Sequence, residues 1–183
     1  MIQGKDFYNL ISRDSMSWLD NSEKLKFSSE VIYKELQSQI ELFMLDSLIY
    51  ESEDKIQALL DSYYLLIGHS FENLIKGLSI ENNRSAKSLD EIYKKWKYNS
   101  GHEISKIAQE NLSNLTEEEF KILEKLETYI IWAGRYNLPQ NADKYVNEQS
   151  RLFFDSKDFK TINILYDKIR DILLQTFEKN EKK

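Results

Sequence analysis

A chain of 183 residues with one proline and five glycines has few places to turn sharply. All-β and doubly wound folds use those two residue types at nearly every turn. Their scarcity leaves few, long elements, and long elements read as helices. The expected class is all-α. Hydrophobic residues make up 41% of the chain, enough to build a core at this length.

The apolar period of about 3.6 residues divides the chain. A short helix is expected over residues 4–19, with Phe7, Leu10, Ile11 and Trp18 on its apolar side. A longer one runs from about Ser22 to Tyr50 through Leu25, Val31, Ile32, Leu36, Ile40, Phe43, Met44 and Ile49, with room for an early break around Ser28-Ser29. Residues 54–79 carry the strongest pattern. Leu60, Tyr63, Tyr64, Ile67, Phe71, Leu74, Ile75 and Leu78 share an arc of about 120°. Glu81 to Ser85 reads as a loop.

Ser88-Leu89-Asp90-Glu91 and Ser100-Gly101-His102-Glu103 have capping-box spacing, opening short helices to Trp96 and over Ile104–Ala108. Thr116-Glu117-Glu118-Glu119 opens a clear helix to about Gly134, with Pro139 enforcing the stop. A short helix is expected near 141–150 and a last helix from Phe159 to Phe177, after which the tail to Lys183 should fray. The result is an up-and-down helical bundle of four main helices plus short ones. Residues 1–50 are expected as an N-terminal helical extension packed on a bundle formed by 51–183.

Composition removes several function classes. Without cysteine there is no disulfide and no thiolate metal site. The two histidines, His69 and His102, accompany no metal-binding motif, so no metal or cofactor is expected. A net charge of −6 gives no global field toward nucleic acid, although 25 Lys and Arg leave room for a local basic groove. The first residues lack the basic and apolar regions of a signal peptide, and no stretch approaches a membrane span. A cytoplasmic, membrane-free protein is expected. Glycine-rich phosphate loops, serine nucleophile elbows and HExxH are missing from the sequence.

Three segments carry candidate chemistry. His69, Glu72 and Lys76 lie within roughly 60° of one another on the 54–79 helix, opposite its apolar arc. They read either as a solvated face or as a partly enclosed set that binds an anion. His102 falls in the first turn of a short helix, where it is a surface cap residue or, as neutral imidazole, a general base. Arg135 and Tyr136 sit at a helix end before Pro139. There the guanidinium either recognises phosphate or caps its own helix.

The order of these segments resembles the HEPN superfamily of small helical-bundle domains. That family carries Glu and Lys four apart on a central helix, as in Glu72-Asn73-Leu74-Ile75-Lys76. A His-polar-aliphatic motif opens a short helix, as in His102-Glu103-Ile104, and an Arg-Tyr-Pro-like turn follows, as in Arg135-Tyr136-Asn137-Leu138-Pro139. The resemblance covers roughly residues 55–178. It implies a nucleotide, RNA or protein ligand, a homodimer, and a prokaryotic defence or toxin–antitoxin setting. Its nucleases place a His four to six residues after an Arg. Here Pro139, Gln140 and Asn141 occupy those offsets from Arg135.

The expected function is therefore a non-catalytic binding module, with His69, Glu72, Lys76, His102, Arg135 and Tyr136 as ligand residues. Two alternatives stand beside it. One is a metal-independent endoribonuclease with His69 or His102 as base and Arg135 stabilising phosphate. The other is a structural scaffold.

Overall fold

The computed structural model describes residues 4–45, 50–86, 89–96, 101–136, 139, 141–153 and 155–182. Among these there are eight α-helices and no strand. They are α1 (Gly4–Ser12), α2 (Ser15–Leu45), α3 (Tyr50–Asn82), α4 (Leu89–Lys95), α5 (Ile104–Asn111), α6 (Glu117–Thr128), α7 (Ala142–Glu148) and α8 (Ser156–Glu181). A π-helical turn, Tyr129–Ala133, continues α6, and a 3₁₀ turn, Gln149–Leu152, follows α7.

Side-chain contacts give the helix directions. Helix α2 opposes α3, because Ser15 meets Glu81, Ser22 meets Ser70 and Tyr33 meets Tyr63. Helix α8 runs with α3, from Tyr64–Asp158 through Phe71–Tyr166 to Glu81–Asn180. Helix α6 opposes α8, with Glu119 on Lys168 and Lys125 on Asp158. The four long elements thus alternate in direction around α3, and the all-α bundle is the observed class. One hydrophobic cluster joins Leu19 and Leu36 of α2 to Phe71, Leu74 and Leu78 of α3, Ile107 of α5, Leu126 of α6 and Leu165 and Leu173 of α8.

Several boundaries differ from the sequence expectation. Residues 4–19 are not one helix. The chain breaks at Arg13-Asp14, where Asp14 accepts hydrogen bonds from the Met16 backbone N–H (3.1 Å) and the Ser17 hydroxyl (2.6 Å), capping α2. No break occurs at Ser28-Ser29, whose hydroxyls donate to Lys24 and Lys26 carbonyls of their own helix. Leu10, Ile11, Val31 and Met44 are exposed, so α1 and α2 bury less than their pattern suggests. Helix α3 continues through Asn82, into the expected loop.

Thr116 and Glu119 form the anticipated capping box. Its helix nevertheless leaves α geometry at Tyr129, and Gly134 ends it with right-handed backbone, φ −79°. The expected frayed tail is helical to Glu181. Asn180 donates to Glu81 (2.9 Å) and Arg84 pairs with Glu181 (2.6 Å), anchoring the last turn. Ser88 and Ser100, the caps of two expected boxes, lie outside the described residues.

Glycines set how closely the helices approach. A Cβ on Gly68 would lie 2.8 Å from Ile130 Cγ1, and one on Gly134 2.8 Å from Leu65 Cβ. Both keep the π-helical turn pressed against α3.

Candidate functional site

Of the two readings of the His69, Glu72 and Lys76 strip of α3, the partly enclosed one is observed. Glu72 and Lys76 are only 7% and 8% exposed. The turn ahead of α5 and Trp96 cover them, a contact from residues 20 or more positions away that helix periodicity does not report.

Lys76 Nζ donates to Glu72 Oε1 at 2.5 Å and lies 5.4 Å from the centroid of the Trp96 ring. Trp96 is itself held by its Nε1–H on Ser79 Oγ (2.9 Å) and an edge contact with Trp18. The other carboxylate oxygen, Glu72 Oε2, meets Nδ1 of both His69 (3.2 Å) and His102 (3.1 Å). Burial pushes the Glu72 carboxyl up, but the His69 hydrogen bond, the charge and hydrogen bond of Lys76, and His102 together hold it down at about 2. An ionised carboxylate only accepts, so each imidazole carries its proton on Nδ1. Among the described residues, no hydrogen bond occupies either Nε2, and both side chains are about one-third exposed.

His102 is not in the first turn of α5. It precedes the N-cap residue Glu103, which makes no side-chain capping bond. Gly101 places it there with φ +85°, in the left-handed region that favours glycine. A Cβ at Gly101 would also stand 3.2 Å from Lys76 Nζ, so the backbone packs directly on the ammonium group.

The cap of α5 comes from α6: Glu127 Oε2 accepts the Ser105 backbone N–H at 3.0 Å. Burial raises the Glu127 carboxyl to about 7, against the lowering effect of Ser105. Glu103 adds to the rise, and Arg151 opposes it. Because the folded value exceeds the ordinary 4.5, the folded state holds the extra proton, and stability falls as pH rises from 4.5 through 7. Glu127→Gln should remove that fall, gaining on the order of 2–3 kcal/mol over wild type above pH 7 and little below pH 4.5. Urea titrations across that range would measure it; parallel curves for the two proteins would refute it.

Of the six expected ligand residues, His69, Lys76 and His102 converge on Glu72, and Arg135 and Tyr136 do not. Arg135 Nη2 donates to the Ile131 carbonyl (2.8 Å) of its own helical segment and its guanidinium stacks on the exposed Tyr136 ring. Both line a cavity with Asp61 of α3. Asp61 lies eleven residues, about 16 Å of helix, from Glu72. The capping role is thus the observed one for Arg135. Trp96, Gly101 and Glu127 were not anticipated as site residues. Only Gly101, a glycine directly before a histidine, carried a local signal.

Among the described residues, no group of three or more His, Asp or Glu side chains is arranged to hold a metal ion, and no helix is long and apolar enough to cross a membrane. No family model, curated protein or solved structure matches the chain.

Proposed function

We propose that this chain is a HEPN-like helical module that binds a phosphate-bearing ligand, a nucleotide or RNA, at the Glu72-centred cluster. The observation that carries the reading is that two half-open imidazoles share one buried, ionised carboxylate. In its imidazolium form each ring donates Nδ1–H to Glu72 and turns Nε2–H to a ligand, giving two charge-assisted donors on one support. Lys76 balances Glu72, so protonated rings leave the cluster net positive. The homodimer and the prokaryotic defence setting rest on the family resemblance alone.

Binding is favoured over turnover because Arg135 belongs to another cavity and stands away from the two imidazoles. The endoribonuclease reading keeps one specific support. Both rings turn Nε2 outward, so a neutral one can take the 2′-hydroxyl proton as base while the other, in its imidazolium form, gives Nε2–H to the leaving 5′-oxygen, without metal.

The test is labelled mixed-sequence RNA and ATP in EDTA, read by anisotropy and by gel. Wild type should retain ligand without cleaving RNA. His69→Ala/His102→Ala should bind about tenfold or more weakly, while Arg135→Ala should bind as wild type does. Cleavage that the double variant loses would establish the nuclease instead. Absence of binding to either probe would sink the proposal.

A further inference from the structure

A cavity of about 460 Å³ opens where the π-helical turn meets the N-terminal half of α3. That is ample for a small organic ligand. Its shape comes from the backbone. Gly134 N–H bonds to the Tyr129 carbonyl, five residues back, at 3.1 Å, and the widened turn ends hard against Leu65.

Two opposite charges line this cavity without neutralising each other. Asp61 is half-buried, and the Gln57 amide, 2.8 Å away, is its hydrogen-bond partner. Burial pushes its carboxyl up, against the lowering effect of the Gln57 hydrogen bond. Arg135 directs Nη2 to the Ile131 carbonyl and lies 5.5 Å from the centroid of the Tyr136 ring. Among the described residues it forms no ion pair. Three aromatic rings share the lining with the two charges, Tyr129 and Trp132 largely buried and Tyr136 open. A ligand that satisfies both groups carries a cation and an anion beside an apolar body.

We propose that this cavity binds a free α-amino acid with an aromatic or aliphatic side chain, its ammonium on Asp61 and its carboxylate on Arg135. The carboxylate meets a planar fork of donors, the ammonium meets an acceptor, and the side chain lies along Trp132 and Tyr136. This site stands apart from the Glu72 cluster, and neither proposal depends on the other.

The experiment is calorimetric titration of the full chain with L-phenylalanine, L-tryptophan and L-leucine, beside phenethylamine and 3-phenylpropionate, which each keep one charge. At least one amino acid should bind, with both single-charge analogues weaker by about tenfold or more. Asp61→Asn and Arg135→Gln should each lose about as much, with circular dichroism confirming that they fold. The analogue comparison uses wild type alone, so it holds even if a variant misfolds. No heat from any amino acid at millimolar concentration overturns the proposal. So does phenylpropionate or phenethylamine binding as well as phenylalanine, because the site would then recognise one charge only.

Discussion

Glu72→Leu is expected to lower the free energy of unfolding by about 3–5 kcal/mol, the usual cost of removing one partner from a buried ion pair. Leucine fills most of the space, so the loss is electrostatic. Lys76 stays in a position 8% exposed, against the Gly101 backbone and the Trp96 ring, with its carboxylate gone. His69 and His102 lose their shared acceptor at the same time. Adding Lys76→Met should recover most of the loss, because a buried pair replaced by apolar groups of similar volume is often close to neutral. Urea denaturation of the three proteins would measure this. A double variant no better than Glu72→Leu would mean that packing, not an uncompensated charge, governs the site. The wild-type pH profile offers a separate check. The Glu72 carboxyl sits below its ordinary 4.5, so its stabilisation is present above 4.5 and is lost as pH falls toward 2. Glu127 acts in the opposite sense at higher pH. The two together place the stability maximum that carboxylates contribute on the mildly acidic side of neutral.

Gly68→Val should destabilise by roughly 3 kcal/mol, through overpacking at the contact between α3 and the π-helical turn. The first added carbon already meets Ile130 Cγ1 at 2.8 Å and the Leu126 carbonyl at 3.3 Å. Ile130 is fully buried, and the carbonyl is backbone, so neither neighbour can swing aside. Gly68→Ala tests the sign. In an exposed helix that change gains about 1 kcal/mol, and here it should cost stability instead. Ile130→Ala removes the same number of carbons that Gly68→Val adds. The double variant should therefore be less destabilised than the sum of the singles by more than about 1 kcal/mol. Simple additivity would show that the helices relax apart and that glycine is not what holds them close.

Some local signals are legible in the residues, although the Asp14 cap and the continuity of α2 through Ser28-Ser29 are not. Thr116 and Glu119 form their capping box because both partners lie within four residues, and the apolar arc from Leu60 to Leu78 is buried as its period requires. His69, Glu72 and Lys76 were recognisable as one group for the same reason, since their spacing alone puts them on one strip of α3. Whether that strip is solvated or enclosed stays open in the sequence. It depends on Trp96 and Gly101 folding over the strip, and nothing near residue 72 encodes that. The π-helical turn was equally hidden. Its residues, Tyr129 to Ala133, read as ordinary helix, and the wider turn occurs where the chain packs against α3 at Gly68 and Leu65.

By itself, then, the sequence determined the class, the main helices and the composition of the Glu72 set, because turn scarcity, apolar period and side-chain spacing act within a few residues. Tertiary structure alone decided that His102 joins that set on the same carboxylate oxygen and that Arg135 does not. It also decided that Asp61 and Arg135 face one cavity. Those outcomes depend on which helices lie side by side, and that choice rests on core packing and close glycine contacts between segments distant in the chain.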